Sequence, residues 1–161
     1  MRKVKLYFDS SSISALEQVT EPERMFDMHT LWKMIRQGVY DVVLSDILTK
    51  ELLSIKDTEK KDKLFYYLTE IKADHVKLTD EMQKIAELII QHGILTENSV
   101  SDSRHVGCAL VTRCDIIVSY NFRHMVNTRV IHGVRRVSVI EGYGDIDIMS
   151  PDTLLKKGEK S

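Results

Sequence analysis

Short β-rich apolar runs recur along this chain, and the first three are each followed by a stretch with helical periodicity. The runs are Val4 to Phe8, Asp41 to Leu44, Val76 to Leu78, Ile116 to Ser119 and Val137 to Ile140. Between the first two, Met25, Met28, Leu31, Trp32 and Ile35 repeat at three- and four-residue spacing until Gly38 stops the pattern, which predicts an amphipathic helix over 21–37. Further helices are expected through Ile47, Leu48, Leu52 and Ile55, over 59–71, and from a Thr79/Asp80 cap through Met82, Ile85, Ala86, Ile89 and Ile90 to Gly93. A last one is expected over 101–113. Parallel strands need crossover connections, so this order predicts an α/β chain: a three-layer α/β/α sandwich with a mostly parallel central sheet. Ligands in such sheets bind beyond the carboxyl ends of the strands.

The 161 residues are 43% apolar, enough for one core without disulfide or metal staples, and residues 1–155 read as a single domain with a short polar tail at 156–161. A net charge of −1 provides no basic coat, so any nucleic-acid contact must be local. Cys108 and Cys114 have no ligand-like spacing and read as buried thiols. The apolar stretch behind Arg2, Lys3 and Lys5 ends at Asp9, too short for a signal core or a membrane span, so a cytoplasmic protein without membrane contact is expected.

Three carboxylates stand where burial should exclude them. Asp9 ends the first strand, either as a helix cap or at the ligand-binding rim. Glu51 lies among Ile47, Leu48, Leu52 and Ile55 on the apolar stripe of its helix. There it must be neutral, paired with a cation, bound to a metal, or at a flank from which it reaches water or Lys50. Asp102 falls in a first helical turn with Val106, Ala109 and Leu110 at helical spacing, and either N-capping or chemistry accounts for it. A divalent cation with oxygen ligands would relieve repulsion among the three.

These residues carry a family resemblance. The string LYFDSSSIS resembles the opening strand of PIN domains, with Asp9 and Ser11 at the acid and hydroxyl positions. SDILTKELL resembles the second strand-to-helix step with Glu51, SDSRHVGCAL the D-x-x-H helix with Asp102 and His105, and DIIVSYNFRHM the strand and loop that follow. The resemblance covers nearly the whole chain. It implies a PIN-like sandwich, a homodimer, and a Mg²⁺- or Mn²⁺-dependent endonuclease acting on single-stranded RNA, as in VapC-type toxins held by a small antitoxin. Asp9, Glu51 and Asp102 are then the catalytic and metal-binding acids, with Asp9 and Asp102 as direct ligands and Glu51 as third ligand or base. Ser11 orients them, Asn121 positions water or substrate, and Arg123, His124 and Arg129 meet phosphates.

The chain departs from the family at Asn121, where many members carry a further Asp, and at Arg104 and Gly107 inside the Asp102 helix. The same cleft without the chemistry would be an RNA- or protein-binding module. His105 and His124 read as structural rather than catalytic, because carboxylate-metal hydrolysis needs no imidazole base. Trp32, Tyr66 and Tyr67 read as core or dimer packing, and the mixed charges from Lys56 to Lys63 as a solvated face. No GxGxxG or GK[ST] loop supports nucleotide binding, and a receiver-like domain would need paired acids after the first strand, where this chain has Asp9 and serines.

Overall fold

A computed structural model of the chain describes residues 2–159. The elements run β1 (Lys5–Phe8), α1 (Ser10–Ser14), α2 (Pro22–Arg36), β2 (Asp41–Ser45), α3 (Asp46–Leu53), α4 (Thr58–Thr69) and β3 (Asp74–Val76). They continue through α5 (Asp80–Gln91), α6 (Val100–Val111), β4 (Ile116–Val118), α7 (Thr128–Ile140), β5 (Asp147–Met149) and α8 (Pro151–Glu159). All pairings are parallel, in the order β3-β2-β1-β4-β5. The chain winds outward from β1 through β2 to β3, then returns to place β4 on the other side of β1. The order therefore reverses between β1 and β4, the place where a parallel sheet opens a crevice at its carboxyl end.

Both faces of the sheet are covered. Along β1, Leu6 and Phe8 pack with α2 residues Met28, Leu31, Trp32 and Ile35, while Tyr7 between them packs with residues of α5, α6 and α7. The two-residue alternation of a strand thus feeds two separate cores. Trp32 is fully buried and its indole N–H donates to the Tyr67 carbonyl at 3.2 Å. Tyr67 packs against the same core, but Tyr66 is exposed and belongs to neither cluster. Cys108 and Cys114 are buried free thiols, and burial pushes them up to about 12 and about 11.

The expected strand at Val137 to Ile140 is instead the last turn of α7. Its β-branched residues mislead because the controlling period is helical: Val130, Val134 and Val137 are buried, while Val139 and Ile140 face solvent. The helix starts at an Asn127 cap, whose side chain accepts from the Val130 N–H at 3.0 Å. The fifth strand is Asp147–Met149, and β3 lies at Asp74–Val76 rather than at 76–78.

Gly107 has a packing reason. A Cβ there would lie 2.3 Å from the Met82 carbonyl oxygen of α5, so α5 and α6 approach through a position that only glycine fits. Gly107→Ala improves helix propensity, yet overpacking should cost about 1–3 kcal/mol and lower the urea midpoint. A raised midpoint would show that the contact is loose.

Candidate active site

The carboxyl end of the sheet gathers the acids. Asp9 follows β1 directly, is 3% exposed, and caps α1 through Oδ1, which accepts from the Ser12 N–H at 3.0 Å. The same oxygen accepts from Ser11 Oγ at 2.7 Å and Ser12 Oγ at 3.1 Å, and Oδ2 accepts from Ser119 Oγ at 2.5 Å. Ser119 follows β4, so this last bond closes the switch point between β1 and β4. Asp9 is therefore a cap that also lies at the crevice, with Ser11 Oγ among its donors.

Glu51 is at the edge of its stripe, with a side chain 30% exposed, and it is paired. Its Oε1 lies 2.5 Å from Nε2 of the fully buried His105, and Oε2 accepts from Ser101 Oγ at 3.1 Å. His105 Nδ1 is 2.5 Å from the Tyr7 hydroxyl, which is 2.7 Å from Ser45 Oγ, and Ser45 Oγ accepts from the Leu48 N–H at 3.3 Å. One assignment of protons satisfies every member: Ser45 donates to Tyr7, Tyr7 to His105 Nδ1, and His105 Nε2–H to Glu51. Burial pushes the Tyr7 phenol well above its ordinary value, which keeps it a donor. Burial also pushes Glu51 up, but the hydrogen bond from His105, with bonds from Ser101 and Ser10, outweighs it and holds the carboxyl below its ordinary value.

Asp102 lies in the first turn of α6 without capping it, and among the described residues it receives one long hydrogen bond, 3.5 Å from Asn121 Nδ2. Burial raises its pKa, and the charges of Asp9 and Glu51 raise it further against the opposing effects of His105 and His124. Asn121 is held in turn, its N–H donating to Ser119 Oγ at 2.9 Å and its Oδ1 accepting from the His124 N–H at 3.0 Å. His124 Nδ1 pairs with Ser99 Oγ at 3.2 Å. Arg123 is exposed on the same loop, whereas Arg129 donates to the Gly93 carbonyl at 2.9 Å and lines a separate depression with His92 and His132.

In kind, the donor set suits a hard divalent cation: oxygen ligands, partly desolvated, with Asp102 raised by burial and further by the charges of Asp9 and Glu51. Among the described residues, no three His, Cys, Asp or Glu side chains stand close enough to enclose a cation by themselves. Glu51 has both oxygens engaged. Among the described residues, Asp9 Oδ2 accepts from Ser119 alone and Asp102 holds one long bond, so these two carboxylates retain lone pairs. The serines at 10, 12, 45, 101 and 119 and the Tyr7 hydroxyl are site members that motif spacing does not single out. Position does mark two of them, since Ser45 ends β2 and Ser119 follows β4.

No protein-family model and no curated protein matches this sequence. Among solved structures, the chain is similar to one of VapBC2 from Rickettsia felis bound to a DNA fragment from its promoter. That match has a TM-score of 0.56 and 12% identity over 90% of this chain and 98% of the other. It is also similar to a toxin–antitoxin complex from Klebsiella pneumoniae, with a TM-score of 0.51 and 12% identity over 74% of this chain and 88% of the other. At such identity the likeness establishes the fold, a three-layer PIN-like sandwich. Among the described residues, no helix is long and apolar enough to cross a membrane.

Tyr7→Phe removes the central link of the buried chain and leaves Ser45 and His105 each short of a partner. It should cost about 1–3 kcal/mol in denaturant unfolding. An unchanged stability would mean that the chain rearranges around the missing hydroxyl.

Proposed function

We propose that this chain is a metal-dependent endoribonuclease that hydrolyses phosphodiester bonds in single-stranded RNA, and that it is the toxin of a toxin–antitoxin pair. The observation that supports this best is Asp102, whose carboxyl is raised by burial and by the neighbouring charges of Asp9 and Glu51 at the sheet's switch point. The toxin role is supported by the toxin–antitoxin complexes among the structural neighbours. A cytoplasmic homodimer controlled by a small antitoxin completes this reading.

In this mechanism Asp9 and Asp102 hold Mg²⁺ or Mn²⁺. The cation, when bound, lowers the pKa of water and offsets charge on the phosphate oxygens. Glu51 accepts a proton from the attacking water, and His105, bonded at Oε1, fixes the carboxylate's orientation. Ser11 and Ser119 keep Asp9 from rotating. Asn121 positions water or phosphate beside Asp102, and His124 and Arg123 meet the strand from the same loop. Attack forms a bond from the water oxygen to phosphorus and opens the P–O3′ bond, and O3′ takes a proton from solvent, leaving a 5′-phosphate and a 3′-hydroxyl.

A second reading draws on Glu51, both of whose oxygens are engaged, and on Asn121 at the fourth position. It keeps the cleft as a binding module for RNA or protein without cleavage. Mn²⁺ separates the two, since a binding-only module gains no specific stabilisation from it.

Labelled single-stranded RNA should be cut with Mn²⁺ and left intact with EDTA, and EDTA-insensitive cutting would contradict the metal mechanism. Asp102→Asn should abolish cutting and alter the pH profile of stability. With its folded pKa raised, Asp102 contributes a loss of stability as pH rises from the ordinary carboxylate value through the raised one. The variant lacks that loss, so it should match the wild type in acid and exceed it at neutral pH. Retained Mn²⁺-dependent cutting by Asp102→Asn would exclude the assignment.

A further inference from the structure

We propose that the groove between α2 and α8 is a subsite for one unpaired nucleobase of single-stranded RNA, stacked on Phe122 beside the phosphate to be cut. The inference deepens the ribonuclease reading and rests on it. The groove encloses about 750 Å³, a size at which sites take up small planar ligands. Its wall includes Tyr120 and Phe122, with ring centroids 6.4 Å apart. Arg24 holds its guanidinium 4.9 Å from the Tyr120 centroid and 5.5 Å from that of Phe122. Tyr120 is buried, but Phe122 leaves 46% of its surface to solvent. An exposed ring backed by a second ring and a planar cation is a stacking surface that any base can use.

Its connection to the acids is direct. Tyr120 and Phe122 flank Asn121, whose amide reaches Asp102. The Tyr120 N–H donates to Ser11 Oγ at 2.9 Å, and Ser11 Oγ donates to Asp9 Oδ1 at 2.7 Å. The charge of the groove sets the orientation of the occupant. Asp27 lines it, and burial together with the charges of Asp152 and Glu23 raises the Asp27 carboxyl against the opposing effect of Lys156. Such a wall repels phosphate and accepts N–H donors, so the edge of a base enters while its phosphate stays outside near Asn121 and the exposed Arg123.

The test uses the full chain in EDTA, so that binding is read without cleavage, and a short single-stranded RNA carrying 2-aminopurine as probe. Binding should quench the probe. Phe122→Ala should weaken binding about fivefold or more and remove the quenching. Phe122→Leu, which keeps the apolar bulk without the ring, should also lose the quenching, and Phe122→Tyr should retain both. Binding by the wild type without quenching would overturn the proposal, as would Phe122→Ala and Phe122→Leu behaving like the wild type. So would unchanged RNA binding together with altered sedimentation of these variants, which would make the groove a contact between copies of the chain. Quenching without any Mn²⁺-dependent cutting leaves the subsite standing and removes the ribonuclease reading. Cutting with binding indifferent to Phe122 does the reverse.

Discussion

A fully buried imidazole joins the sheet to its helices in this molecule. His105 on α6 reaches Tyr7 of β1 through one nitrogen and Glu51 of α3 through the other, and Tyr7 continues to Ser45 at the end of β2. A polar chain of this kind inside a core is costly unless every member has a partner, because the low dielectric that strengthens each bond also magnifies any unmet group. Here none is unmet among the described residues. The chain therefore fixes the relative placement of β1, β2, α3 and α6, the elements that bring Asp9, Glu51 and Asp102 to one end of the sheet. It also requires α6 to lie deep, and Gly107 permits that depth on its other side, against α5.

The three acids differ because their surroundings differ, not their chemistry. Glu51 meets a histidine and two serines and is held low. Asp102 is held high by its burial, with the charges of Asp9 and Glu51 adding to it. Asp9 is enclosed by hydroxyl and amide donors that fix its orientation. Titratable groups pushed apart by their environments can take separate roles, one keeping a proton acceptor ionised and another gaining from a cation. For the stripe anomaly at Glu51, the partner that meets the carboxylate is the His105 imidazole.

Legibility in the sequence followed the range of the interaction. The parallel sheet could be read because strand-then-helix order is local, and the position of Asp9 at the end of β1 could be read for the same reason. What was not legible depended on contacts between distant positions. The α7 stretch at 137–140 reads as a strand by residue type, and only the burial of Val130 and Val134 beneath it reveals the helix. His105 looks like any helical histidine until Tyr7, almost a hundred positions earlier, is seen to meet it. The hold on Arg129 likewise depends on where α7 packs, since the Gly93 carbonyl just past α5 accepts from its guanidinium.

One physical thread links the acids to the surface beyond them. Ser11 Oγ donates to Asp9 and accepts from the Tyr120 N–H, so one hydroxyl sets both the first carboxylate and the start of the loop after β4. Ser119 does the same for the next loop residue, donating to Asp9 and accepting from the Asn121 N–H. A loop tied twice to a buried carboxylate has little freedom in its first three residues. The side chains of Tyr120 and Phe122 are then presented from a rigid base, though Phe122 itself is half in water. Positioning of this kind is what a cleft needs if a flexible strand is to be held in register with groups that act on its backbone, because the ordering cost falls on the strand alone.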